Sequence, residues 1–178
     1  MSGISDHVEI DTTQVQRLAA DFLAKGGKLT PVYKAIGEYM RLEIENRFDK
    51  QVDPSGKKWQ KLSPVTLLKK KNNKILTERG NLRNSFNYKA SANSVDIGTP
   101  DVRAAALHYG AAKGSYGTFI KKVKSHSRKN KYGRTFVVNA HNRSMLLPWG
   151  NIPARPILGV NEANKTEMLN ILKDFLTS

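Results

Sequence analysis

Histidines and carboxylates are the side chains of this chain best suited to acid–base or metal chemistry, and their spacing argues against both. The four histidines are His7, His108, His126 and His141, and no two stand at i, i+4. No zinc-binding signature is present. A two-metal nuclease needs several carboxylates converging on its ions. Here the acids are dispersed, and residues 102–161 contain none. His141-Asn142-Arg143 is the piece nearest to histidine–metal nuclease chemistry, but a second histidine pair and an acidic partner are missing. There is no cysteine, which removes thiolate nucleophiles, thiolate metal sites and disulfides together. Gly110, Gly114 and Gly117 lack the strand-to-helix setting of a phosphate-binding loop. The expectation is a protein with no catalytic centre, no cofactor and no metal.

Charge offers a different chemistry. The chain carries 30 Lys and Arg against 15 Asp and Glu, a net charge of +15. Two acid-free stretches concentrate the bases. Residues 54–77 hold Lys57, Lys58, Lys61, Lys69, Lys70, Lys71 and Lys74, and residues 102–161 hold eleven more. The rest of the chain is close to neutral. Such segregation predicts a positive face that attracts a polyanion, or a pair of solvated loops, or a surface that meets acidic neighbours.

The elements that must position these groups are legible from periodicity. Residues 12–25 place Val15, Leu18, Ala19, Phe22 and Leu23 on one helical face, stopped by Gly26-Gly27. A longer helix opens with Thr30 as N-cap and Pro31 at its first position. Its apolar stripe is Val32, Ile36, Met40, Ile44 and Phe48, and Arg41, Glu45 and Lys50 take the wet side. Ser63-Pro64 opens a short basic helix running through Leu67 and Leu68 into Lys69–Lys71, whose cations would complement its dipole. Thr99-Pro100 opens another, with Val102, Ala105, Ala106 and Tyr109 inward and Gly110 closing it. Asn84–Ala90 and Ser94–Gly98 read as antiparallel strands across a turn at residues 91–93. Arg134–Val138 reads as a third strand and Gly117–Ile120 as a fourth. A final helix spans residues 162–176, with Asn161 as cap and Met168, Ile171, Leu172, Phe175 and Leu176 inward. Helices and strands interleave without a βαβ repeat, so the fold class is α+β: one domain spanning 1–178, several helices on a small, mostly antiparallel sheet. The N-terminus has no signal peptide, and no apolar run spans a bilayer.

Residues 111–134 stand apart. They combine eight bases, several glycines and serines and no acid, too polar to bury a core. They read as a basic insertion, a hairpin with a disordered tip. Tyr116, Phe119 and Tyr132 either stack on nucleic-acid bases or anchor the loop. Trp59 reads as a lid on the core, and Trp149 as exposed or at an interface. His108 is a packing or interface residue rather than a base. Arg155, held between Pro153 and Pro156, suits a bidentate salt link, within the subunit or across an interface.

One ordered series of blocks ties these pieces together. It runs Phe48…Pro54-Ser-Gly56-Lys-Lys-Trp59-Gln-Lys-Leu62, then Leu76-Thr-Glu-Arg-Gly80-Asn-Leu82. Asp96-Ile-Gly98-Thr99, Ala106-Leu-His108-Tyr-Gly110 and Ile152-Pro-Ala-Arg155-Pro156-Ile-Leu158-Gly159 follow. In wording, spacing and order this resembles the phage virion morphogenesis (tail completion) family, from about residue 32 onward. The likeness is thinnest over 111–134.

The resemblance implies a structural protein, assembled in the host cytoplasm, that completes the tail or joins it to the head at the tail top or head–tail junction. It implies a homo-oligomeric ring, commonly a hexamer, around the DNA channel. Neighbouring tail tube or terminator proteins, head–neck proteins and genomic DNA are the implied partners. Trp59, Leu62, Leu82, His108, Arg155 and Leu158 are then candidates for the fold and subunit contacts. Lys121, Lys122, Lys124, Arg128, Lys129 and Lys131 are candidates for a DNA-facing surface. The alternative is a free nucleic-acid-binding protein using basic segments 57–74 and 113–134. A small metal-dependent nuclease using His141 ranks last.

Overall fold

The structure, a computed structural model, describes residues 4–7, 13–24, 26–148 and 150–177. The chain forms two compact units, one of residues 1–109 with 154–178 and one of residues 110–153. The elements are β1 (Ile4–His7), α1 (Thr13–Ala24), α2 (Thr30–Lys50), α3 (Pro64–Leu67), β2 (Asn87–Ala90), β3 (Val95–Thr99), α4 (Arg103–Tyr109), β4 (Thr118–Val123), β5 (His126–Lys129), β6 (Thr135–Val138), β7 (His141–Leu146) and α5 (Glu162–Thr177). The class is α+β, as the interleaving of elements predicts.

The first unit is built on α2. Its stripe of Val32, Ile36, Met40, Ile44 and Phe48 is at most 3% exposed. Burying each such side chain contributes about 1.5–3 kcal/mol. The helix packs on β2 and β3 of an antiparallel sheet ordered β1-β3-β2, while α5 lies on α2 and α1 on α5. Val95 and Ile97, alternating on β3, complete the floor of this core with Phe86. At Gly37 the helix presses so close to β2 that a Cβ would lie 2.3 Å from the Tyr88 ring. On the other side, Phe22 of α1 meets Phe175 of α5 edge-on at 5.6 Å.

Several local signals act as read. Gly26, at φ 81°, closes α1, and the amides of Gly26 and Gly27 bond the Leu23 and Phe22 carbonyls. Ser63 caps α3 by accepting from the Thr66 amide. Asn161 caps α5, its Oδ1 accepting from the Asn164 amide at 2.8 Å. Others differ. Thr30 is already inside α2, and the helix starts with no side-chain cap. Residues 83–85 form a 3-10 turn, so β2 begins only at Asn87. α3 ends at Leu67, before the lysines meant to complement its dipole.

The helix expected from Thr99 begins at Arg103. Thr99 ends β3 and shares a hydrogen bond with the Ser85 hydroxyl, leaving Asp101 to accept from the Arg103 amide. That shift rotates the helix: Ala104 is buried, while Val102 and Tyr109 are exposed.

The second unit is a β-ribbon. β4 pairs with β7 and β5 with β6, all antiparallel. From Val123↔His141 to His126↔Val138 both strands advance by three residues, so one register runs through the break at Lys124-Ser125. Toward the base, the Tyr116 amide bonds the Leu147 carbonyl and the Leu147 amide bonds the Gly117 carbonyl. The tip is a closed turn, with Asn130 Oδ1 accepting from the Tyr132 and Arg134 amides and Gly133 at φ 81°. Residues 117–134 thus supply one arm and the closed turn of a hairpin whose return strands lie within 135–147.

Candidate assembly and polyanion surface

Two of the blocks that carry the family-like pattern, 48–62 and 106–110, meet the extended segment 154–161. Trp59 is buried, stacks edge-on against Phe48 at 5.5 Å and donates from Nε1 to the Pro156 carbonyl at 2.9 Å. Arg155 Nε donates to the Gln60 carbonyl at 3.1 Å, and the Arg155 amide bonds the Leu107 carbonyl. His108 Nδ1 accepts from the Ile157 amide at 3.1 Å and sits 3.4 Å from that of Leu158. Pro54 packs on Gly159, where a Cβ would approach it to 2.9 Å, and Asn161 Nδ2 donates to the Pro54 carbonyl.

Within the chain Arg155 makes no ion pair with a described carboxylate, and burial pushes its guanidinium below the ordinary arginine value. The prolines do aim it, but at a backbone carbonyl. Asp53 organises the turn at 54–56. Desolvation works against its charge. The Ser55 hydroxyl, together with the Lys57 and Ser55 amides, outweighs this and holds its carboxyl below the usual aspartate range.

Beneath this segment lies a polar network that the sequence reading missed. Arg47, on the buried side of α2, donates to the Ile157 carbonyl and to Asn164 Oδ1 at 2.8 Å. Asn164 Nδ2 donates in turn to the Tyr39 hydroxyl at 2.9 Å. Arg47 and Asn164 are 4% and 1% exposed. Its only sequence signal is that Arg47 directly precedes Phe48 on the helix.

Of the six residues chosen for fold and subunit contacts, Trp59, Leu82, Arg155 and Leu158 are buried, while Leu62 and His108 are partly buried. All six lie within the first unit. Its exposed apolar groups are elsewhere. Val65, Leu67 and Leu68 on and after α3 are 48%, 44% and 88% exposed, beside an open cleft of about 470 Å³ lined by Trp59, Leu62, Leu67 and Ile75 and rimmed by Lys58 and Lys61.

The six DNA-facing candidates lie on the ribbon and are exposed. Lys121 and Lys122 are on β4, Arg128 and Lys129 on β5, Lys124 at the break, and Lys131 at the tip over the Tyr132 ring. Alternation puts Lys121 and Lys122 on opposite faces of β4, and Arg128 and Lys129 on opposite faces of β5. Arg143 sits directly opposite Lys121. No described residue of the unit is buried, and the unit holds nine bases and no acid. Trp149 lies outside the described residues.

Among the described residues no cluster of histidine or carboxylate fits a metal ion, and no helix is long and apolar enough to cross a membrane. The model of the phage virion morphogenesis family matches residues 10–177, nearly the whole chain. The chain belongs to that family. No curated protein and no solved structure matches it. The family is structural, so this virion morphogenesis protein has a virion-associated, morphogenetic role. The clamp at 154–161 belongs to the packed interior of the first unit, whereas the ribbon and the α3 cleft are exposed.

Proposed function

We propose that this virion morphogenesis protein completes the phage tail, or joins it to the head, as a homo-oligomeric ring around the DNA channel at the tail top or head–tail junction. A hexamer is the stoichiometry expected. The ribbon carries the reading: its residues have no core, and a two-stranded hairpin alone is marginal in water. Such an element gains its stability from something it is laid against. A subunit that carries both an unburied ribbon and an apolar cleft suits a heterologous interface, the kind that closes into rings. Tail tube or terminator proteins and head–neck proteins would flank the ring, with genomic DNA passing through it.

The test is to label the protein on intact particles and view them by electron microscopy. Label at the head–tail junction or upper tail supports a resident completion protein. Label absent from finished particles removes the ring reading and leaves a transient assembly factor. The second reading is a free nucleic-acid-binding protein using segments 57–74 and 113–134, favoured by their acid-free charge. It requires binding by the isolated monomer that falls steeply with salt.

A further inference from the structure

Directly opposed like charges destabilise an antiparallel pair, because their Cβ atoms are only about 4.5–5.5 Å apart. Lys121 and Arg143 form such a pair on β4 and β7. His141 lies two residues from Arg143 on the same strand and face, beside Val123. All three are exposed, and the unit contains no carboxylate to neutralise them. His141 already donates from Nδ1 to the Asn139 carbonyl at 2.9 Å, which leaves Nε2 as its remaining polar ring atom.

We propose that Lys121 and Arg143, with His141 beside them, form a phosphodiester-binding site for duplex DNA. One phosphate set between the two cations converts their repulsion into two charge-assisted hydrogen bonds, and the guanidinium fork suits its oxygens. Fully extended, Thr118 to Lys129 spans at most about 37 Å, close to one helical turn of a duplex. On each strand pair the cations stand on both faces, Lys121 and Lys122 on β4 and Arg128 and Lys129 on β5. Alongside exposed apolar groups such as Ile120 and Val137, the unit carries nine bases and no acid, a charge that complements a phosphate backbone. The contact is blind to sequence, since it reaches phosphate rather than base edges. The inference rests on the reading that the ribbon meets DNA, but it is tested on the free protein, so it can fail while particle labelling succeeds.

The experiment is fluorescence anisotropy of a labelled duplex of scrambled sequence, titrated with the full chain across a range of salt. The parent is expected to bind. Lys121→Ala/Arg143→Ala should bind roughly tenfold more weakly or worse, with a log–log salt slope shallower by about 0.9 for one shared phosphate. Lys121→Arg keeps the charge and should bind like the parent, which separates charge from folding. Lys28→Ala/Lys173→Ala removes two exposed bases from the first unit and should leave binding within about twofold. The site is overturned by no binding of the parent at low salt, or by equal loss in that charge-matched variant. Inorganic phosphate displacing the duplex at equal phosphate concentration would make it a free-anion site and also overturn the proposal. So would altered sedimentation of Lys121→Ala/Arg143→Ala with unchanged DNA binding, which would assign the pair to a second copy of the chain.

Discussion

Trp59 Nε1 donates a hydrogen bond to the carbonyl of Pro156 at 2.9 Å, joining parts of the chain 97 residues apart. The indole thereby serves as both core lid and strut. Trp59→Phe keeps an aromatic ring against Phe48 but leaves the Pro156 carbonyl without this donor. Chemical denaturation should show a loss of about 1–3 kcal/mol. Trp59→Ala should cost about 3–5 kcal/mol, because a cavity is added. Equal losses in the two variants would mean that the hydrogen bond dominates and that packing contributes little.

Gly37 offers a reversal of sign. In an ordinary helix interior Gly→Ala gains up to about 1 kcal/mol. Here the new Cβ would meet the Tyr88 ring at 2.3 Å. Gly37→Ala should therefore destabilise by about 1–3 kcal/mol. In a Tyr88→Ala background the same change should become neutral or favourable, which a double-mutant cycle reads directly.

The buried network predicts a larger penalty for a conservative-looking change. Asn164→Leu removes an acceptor for Arg47 Nη2 and the donor to the Tyr39 hydroxyl. A loss on the order of 3 kcal/mol is expected, since charge-assisted bonds in a buried network are involved. Thermal unfolding that shifts no more than in an exposed control such as Lys173→Leu would show the network to be dispensable.

Acid should loosen the turn at residues 54–56 early. The folded-state value of Asp53 is depressed, so its contribution is complete above the unfolded value, about 3.9. It is lost as pH falls through the lower folded value. In a Trp149→Phe background, Trp59 fluorescence should begin to change below about pH 4. Asp53→Ala should flatten that acid response and lower stability at neutral pH.

Joining Gly117 to Leu147 through an Asn-Gly turn would remove the ribbon beyond its base. None of the buried hydrophobic residues lies in the deleted segment. The melting temperature should move by less than about 4 °C, the shift expected for roughly 1 kcal/mol in a chain of this size. Particle production in a complementation assay should nevertheless collapse. Intact particle yield would show that the ribbon has no part in assembly.

Much of the fold was legible because its signals are local. The α2 stripe repeats every four residues, Gly26 supplies a left-handed stop, Ser63 and Asn161 cap their helices, and Pro54 to Gly56 make a turn wherever they occur. The misreadings arose where two local signals competed. Thr99-Pro100 resembles a helix start, yet the Thr99 hydroxyl is taken by Ser85 and the sheet claims the backbone, so Asp101 does the capping. Arg155 between prolines resembles a salt-link residue, yet within the chain its Nε goes to the Gln60 carbonyl.

Sequence alone determined the class, the helices, the family and the segregation of charge, since composition and short-range periodicity depend on neighbours along the chain. Tertiary structure decided which partner each special residue meets. Trp59 with Pro156, Arg47 with Asn164 and Lys121 with Arg143 are pairings set by helix packing and strand register. Register shows this most sharply: a slip by one residue would turn Lys121 and Arg143 to opposite faces, and no local pattern in either strand specifies which alignment holds.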